Sequence, residues 1–115
     1  MKFLFLIFLF FSCAETNREI QIVEKEIFQS LINQNVQLID VRTPEEYNSG
    51  HIRSSQNINY NSTDFETKIL KLDKNKPILV YCSAGVRSAK ASKIFYSLGF
   101  KKIYDLKGGY RSWEK

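Results

Sequence analysis

PILVYCSAGVRSAK, residues 77–90, passes from an apolar run into small residues and then into helical sequence. Pro77 to Tyr81 has the length and character of a fully buried strand. Ser83, Ala84, Gly85 and Val86 are small enough for a tight loop, in which Gly85 admits a positive φ. A helix is expected to begin near Arg87. Ala91, Ile94, Phe95 and Leu98 then fall at i, i+3, i+4 and i+7, and Gly99 ends the pattern where a helix C-terminus favours glycine. A buried strand feeding directly into a helix is half of a β-α-β unit.

The rest of the chain supplies the other halves. Ile20 to Val23 reads as an edge strand, and Ile27, Phe28, Leu31 and Ile32 share one helical face. Val36 to Val41 is a second buried run. Thr43-Pro44-Glu45-Glu46 is a helix start, with a capping hydroxyl, proline at the first position and acids in the first turn. Gln56 to Ile58 is a short strand, Asp64 to Leu72 a helix, Lys102 to Asp105 a last strand, and Gly109 to Trp113 a turn or helix. Strands alternating with helices predict right-handed crossovers and a small, mainly parallel five-stranded α/β sheet with helices on both faces. No internal repeat or interdomain linker interrupts it, so residues 20–115 are read as one domain.

The first residues read differently. Lys2 precedes nine apolar residues, Phe3 to Phe11, which then give way to small ones. That is the pattern of a signal peptide, and it is too short for a membrane span, which needs about 20 residues. Two cleavage schemes are open. Ser12-Cys13-Ala14 is a small-x-small site, so residues 1–14 could be removed. Phe10-Phe11-Ser12-Cys13 is also similar to a loose bacterial lipobox, in which residues 1–12 leave and Cys13 carries lipid. Residues 13–19 then form a polar tether. The expected location is the periplasm or cell envelope, with a lipid anchor holding the protein to a membrane.

Under either scheme Cys82 has no partner for an internal disulfide. A lone cysteine in an exported chain is a free thiol to be explained. The net charge of +5 is spread over scattered lysines. That supports a mild attraction for small anions and no nucleic-acid surface, which would cluster its cations.

The placement of Cys82 explains it. In open α/β sheets reactive groups collect beyond the carboxyl ends of the strands. The loop amides there can turn inward as an anion-binding nest. The following helix aims its positive end at the sulfur, and Arg87 adds a full charge. All three favour a nucleophilic thiolate. Cysteine phosphatases carry Cys-x5-Arg, whereas here Arg87 follows Cys82 after four residues, and Ser88 stands at the phosphatase arginine position. The tighter cup suits one additional sulfur on the cysteine, and its N–H groups would hold a persulfide.

The sequence resembles the rhodanese family over nearly all of residues 20–115. CSAGVRS (82–88), LIDVRTPEEYNSGHIRSSQNI (38–58) and GGYRSW (108–113) are similar to three motifs of that family, in the same order. Ser55 departs from the alanine usual there. The resemblance implies that Cys82 accepts sulfur and that Ser83, Ala84, Gly85, Val86 and Arg87 form its cradle, with Ser88 in support. Asp40 and Arg42 are expected to be scaffold, Asp40 accepting loop hydrogen bonds and Arg42 pairing with Glu46. His51 is expected to pack away from the sulfur, and Tyr110 and Trp113 to serve as core and rim.

The function expected is transfer of a sulfane sulfur from an anionic donor such as thiosulfate to cyanide or a thiol. The protein would act as a monomer, with no metal and no cofactor. Neutral residues at 83, 84 and 86 leave the donor open. Two alternatives stand beside it: a non-catalytic binding module, and a phosphatase or arsenate reductase on the same fold.

Overall fold

A computed structural model describes residues 18–115. The expected signal peptide and the expected lipidation site at Cys13 lie outside the described residues, as does most of the expected tether.

Five strands and five helices alternate: β1 Glu19–Val23, α1 Lys25–Ile32, β2 Gln37–Asp40, α2 Pro44–Asn48, β3 Gln56–Asn57, α3 Phe65–Ile69, β4 Ile78–Tyr81, α4 Val86–Ser97, β5 Lys102–Leu106 and α5 Gly109–Trp113. The sheet order is β1-β5-β4-β2-β3, and every pairing is parallel. Parallel neighbours need crossovers, which cover both faces and explain the continuous apolar runs of β2 and β4.

The two-residue period of β4 divides the core. Ile78, Val80 and Cys82 face one side with Phe65 and Ile69 of α3 and Ala91 and Phe95 of α4. Leu79 and Tyr81 face the other side with Phe28 of α1, and Tyr110 and Trp113 of α5 pack against that cluster. Each fully buried Phe or Leu contributes roughly 1.5–3 kcal/mol. A slip of one residue in β4 would turn Cys82 to the opposite layer, so the core fixes its direction.

Local chemistry sets the element ends. The Thr43 hydroxyl accepts the Glu46 N–H, and the Glu46 carboxylate accepts the Thr43 N–H at 3.0 Å, a reciprocal cap that starts α2. α3 is shorter than the expected Asp64–Leu72. Its core contacts end at Ile69, and Leu70 is 48% exposed. The Gln37 amide then takes over the chain at Asp73, donating to its carbonyl and accepting its N–H, both at 2.9 Å. At the other end Glu19, read as the last tether residue, is the first residue of β1, opposite Lys102.

Candidate active site

β2 connects onward to β3 on one side, and β4 connects to β5 on the other. The strand order therefore reverses between β2 and β4, and a crevice opens beyond their carboxyl ends. Asp40 ends β2, and Cys82 immediately follows β4.

Cys82 is a free thiol and only 1% exposed. Its Sγ accepts the N–H of Gly85 at 3.0 Å and that of Ser88 at 3.3 Å. As a thiol it donates to Ser88 Oγ at 3.4 Å. Gly85 sits at φ +112° and caps α4, a conformation that L side chains rarely adopt. That turn points the positive end of a 12-residue helix at the sulfur. Among the described residues, no acceptor takes the N–H of Ser83, Ala84, Val86 or Arg87. These amides are free to meet an anion.

The reverse side of the loop is anchored by α5. Tyr110 N–H donates to Cys82 O at 2.7 Å and Arg111 N–H to Ser83 O at 3.1 Å. Holding those carbonyls outward keeps the loop amides inward. A Cβ on Gly109 would stand 2.5 Å from both oxygens, so only glycine lets α5 come this close. Gly108 and Gly109, both at positive φ, make the turn that brings α5 against the loop. The backbone N–H groups of Tyr110 and Arg111 hold the Cys82 loop, a contact that side-chain motifs do not reveal.

The expected ion pair of Arg42 with Glu46 does not form. Arg42 folds back onto Asp40, its Nη2 donating to Oδ2 at 2.7 Å and its Nε to both carboxylate oxygens. The reason is local: the Arg42 backbone N–H also binds Asp40 Oδ1, a two-residue turn that directs the guanidinium back over the end of β2. Asp40 thus accepts hydrogen bonds from its own loop. Arg42 Nη2 further donates to Gly50 O at 2.7 Å, and the guanidinium lies 4.4 Å from the centre of the Tyr110 ring. Through Tyr110 this buried pair supports the anchor of the Cys82 loop. Arg42→Ala would leave a fully buried carboxylate without its partner, at a cost of about 3–5 kcal/mol. The expected result is a fall in Tm of roughly 15 °C or more, read by thermal melting.

Glu46 instead binds Arg87, whose Nη1 and Nη2 reach its two oxygens at 2.7 and 3.0 Å. The Arg87 guanidinium, helped by the Thr43 N–H and hydroxyl, holds the Glu46 carboxyl at about 2 against the opposing effect of burial. A folded-state value below the ordinary 4.5 stabilises the fold above pH 4.5, and the contribution is lost as pH falls toward about 2. Glu46→Gln is therefore expected to melt below the parent at neutral pH, with the difference closing between pH 4.5 and 2. Arg87 is already matched in charge, so it positions the start of α4 and adds little free charge for a donor.

The remaining sequence candidates are placed as follows. His51 is exposed, stacked on Tyr47 with ring centres 3.7 Å apart, and its Nδ1 is 2.8 Å from Tyr47 O. It has no contact with the sulfur. Trp113 packs edge-on to Phe28 in the core. Ser55 uses the hydroxyl that distinguishes it from alanine: Oγ lies 3.0 Å from the Tyr81 hydroxyl, which also accepts Ile52 N–H. That satisfies the buried phenol of Tyr81, and burial pushes the pKa of that phenol upward. Among the described residues no three His, Cys, Asp or Glu side chains gather as metal ligands.

The fold, the strand-end cysteine and the amide cup define a class, and comparison with known proteins agrees. The family described as "Rhodanese-like domain" matches residues 24–115. The uncharacterized protein YqhL of Bacillus subtilis is 33% identical over 95% of this chain and 84% of its own length. Thiosulfate sulfurtransferase GlpE of Coxiella burnetii is 30% identical over 82% of this chain and 86% of its own. A tRNA uridine(34) hydroxylase of Pelagibacter ubique is 36% identical over 90% of this chain, which spans only 35% of that protein. Among solved structures, a rhodanese-related protein of Thermoplasma volcanium aligns with a TM-score of 0.73 and 31% identity, covering 82% of this chain and 90% of that one. The chain belongs to the rhodanese-like family.

Proposed function

We propose that the protein is a sulfurtransferase that carries a sulfane sulfur as a persulfide on Cys82. The observation that carries this reading is the sulfur held beneath α4 by the Gly85 and Ser88 amides, with four more loop amides that have no acceptor among the described residues. A thiolate at that position attacks the outer sulfur of a donor such as thiosulfate. The new S–S bond forms as the donor's breaks, and sulfite leaves with the bonding electron pair. The terminal persulfide sulfur is anionic, and the inward N–H groups and the helix end stabilise it. A thiol or cyanide then attacks that outer sulfur and releases the Cys82 thiolate. A shallow cavity of about 290 Å³ beside Ser83, bordered by Arg42, Tyr110 and Arg111, offers the acceptor an approach.

The cup is built for one sulfur atom and has no free charge inside it. Ser83, Ala84 and Val86 are neutral and Arg87 is paired with Glu46, so no side chain of the loop offers a dianionic phosphate ester an unengaged charge. Purified protein lacking residues 1–14 is expected to form thiocyanate from thiosulfate and cyanide, and to release no phosphate from phenyl phosphate. Phosphate release without thiocyanate would reverse the assignment.

Export follows from the N-terminal sequence, with Cys13 as the lipid-bearing residue and the cell envelope as the location. The short tether ahead of β1 would keep the domain close to the membrane. Mass spectrometry of the membrane fraction tests this, because only the lipidated form retains Cys13. The same reading has the protein act as a monomer on small sulfur compounds.

A further inference from the structure

Four charged side chains border the cavity beside Ser83: Arg42, Glu46, Arg111 and Glu114. Two of them already have partners, Arg42 lying 2.7 Å from Asp40 and Glu46 2.7 Å from Arg87. Arg111 and Glu114 are exposed, and neither enters an ion pair among the described residues. Although they stand three positions apart on α5, they do not pair with each other. Arg111 is therefore the one cation at this cavity, among the described residues, whose charge is not already matched.

Its backbone fixes where that charge begins. Arg111 N–H donates to Ser83 O at 3.1 Å, one residue from the nucleophile, and Tyr110 N–H donates to Cys82 O at 2.7 Å. The guanidinium thus leaves the chain from a point joined to the cup itself, on a long stem that lets it follow a ligand. The loop residues Ser83, Ala84 and Val86 carry no charge of their own. An anionic donor such as thiosulfate has two unlike ends. Its outer sulfur is small enough for the cup, and its sulfonate group stays outside while that sulfur is attacked. A planar guanidinium matches those oxygens with paired N–H donors.

We propose that Arg111 is the substrate-binding residue that receives the sulfonate end of the sulfur donor and sets a preference for anionic reagents at Cys82. The Cys82 sulfur bonds the outer sulfur, the donor's S–S bond breaks, and sulfite leaves with the electron pair. Negative charge gathers on the departing group, where the guanidinium meets it. Glu114 borders the same cavity with the opposite charge and weakens that attraction. The selectivity of the site comes from α5, which supplies the charge that the loop lacks. The identity of the donor rests on the persulfide reading, whereas the attraction of anions to the cavity does not.

Alkylation reads that attraction without any sulfur transfer. In the chain lacking residues 1–14, Cys82 is the only cysteine. Iodoacetate and iodoacetamide share a leaving group and differ by one negative charge, so the ratio of their rates reports the field on the approach to the sulfur. A change in thiol reactivity or loop packing alters both rates and leaves the ratio. Arg111→Ala keeps the backbone N–H and should lower the ratio about fivefold, the effect of one unit charge at close range in water. Arg111→Lys should restore most of it, Glu114→Gln should raise it, and high salt should shrink both differences. In the same proteins kcat/KM for thiosulfate should fall in Arg111→Ala and recover in Arg111→Lys. An unchanged ratio in Arg111→Ala overturns the proposal, and so does an unchanged kcat/KM for thiosulfate. A parent alkylated by neither reagent overturns it too, because the cavity would then give no approach to the sulfur. A ratio that falls as expected in a protein that takes no sulfur from thiosulfate leaves the anion site standing and counts against the persulfide reading alone.

Discussion

Cys82→Ser is expected to reduce thiocyanate formation to background, a loss on the order of 10⁴-fold or more, as for removal of other covalent nucleophiles. The variant should fold normally. A serine hydroxyl fits the space of the thiol and still meets the Gly85 and Ser88 N–H groups that point at the sulfur. A melting curve close to the parent's, beside absent activity, separates chemistry from packing. Residual activity well above background would mean that sulfur moves without a covalent intermediate.

Gly109→Ala is the second large effect, and it acts at a distance from the sulfur. Its Cβ would lie 2.5 Å from the carbonyl oxygens of both Cys82 and Ser83. Those oxygens are fixed by Tyr110 and Arg111, so the conflict is between backbone and backbone. The residue also has φ +61°, which adds strain for any L side chain. Together these are expected to cost about 2–4 kcal/mol. The activity loss should exceed what stability explains, because a shift of about 1 Å in a reacting group can cost roughly 100-fold in rate. Comparing kcat with Tm in the same preparation checks this. Gly85 is a useful contrast: a Cβ there meets nothing within 4 Å, so its glycine serves backbone conformation and not space.

Much of this site was legible in the sequence because its signals are local. Apolar runs flanked by small residues located β2 and β4, and the hydroxyl–proline–acid start located α2. CSAGVRS placed the cysteine at a strand end with a glycine where the backbone needs one. What the sequence concealed depends on distant segments meeting. Glu46 had two arginines within plausible reach. The choice of Arg87 over Arg42 follows from a two-residue turn at Asp40 and from the way α2 faces α4. The α5 anchor uses backbone N–H groups, which carry no residue signature. Boundaries drifted for the same reason: α3 ends early because Gln37, more than 30 positions away, captures the chain at Asp73.

These pieces form one physical arrangement. Parallel crossovers bring β2 and β4 together at the strand reversal, and α4 and α5 meet over the loop from opposite layers. One helix supplies inward amides, and the other holds the carbonyls outward. The Asp40–Arg42 pair braces Tyr110, and the Glu46–Arg87 pair braces α4. The bracing charges are consumed within the scaffold, so the cup's electrostatics come from backbone dipoles. A cup of that kind favours a single compact anion over an extended one.

The most direct test is the intact mass of the chain lacking residues 1–14 after incubation with thiosulfate, beside Cys82→Ser. The expected result is one added sulfur on the parent, mapped to Cys82, removed by cyanide and absent from the variant. An unmodified parent that nevertheless produces thiocyanate, or a sulfur added equally to both proteins, would contradict the persulfide account.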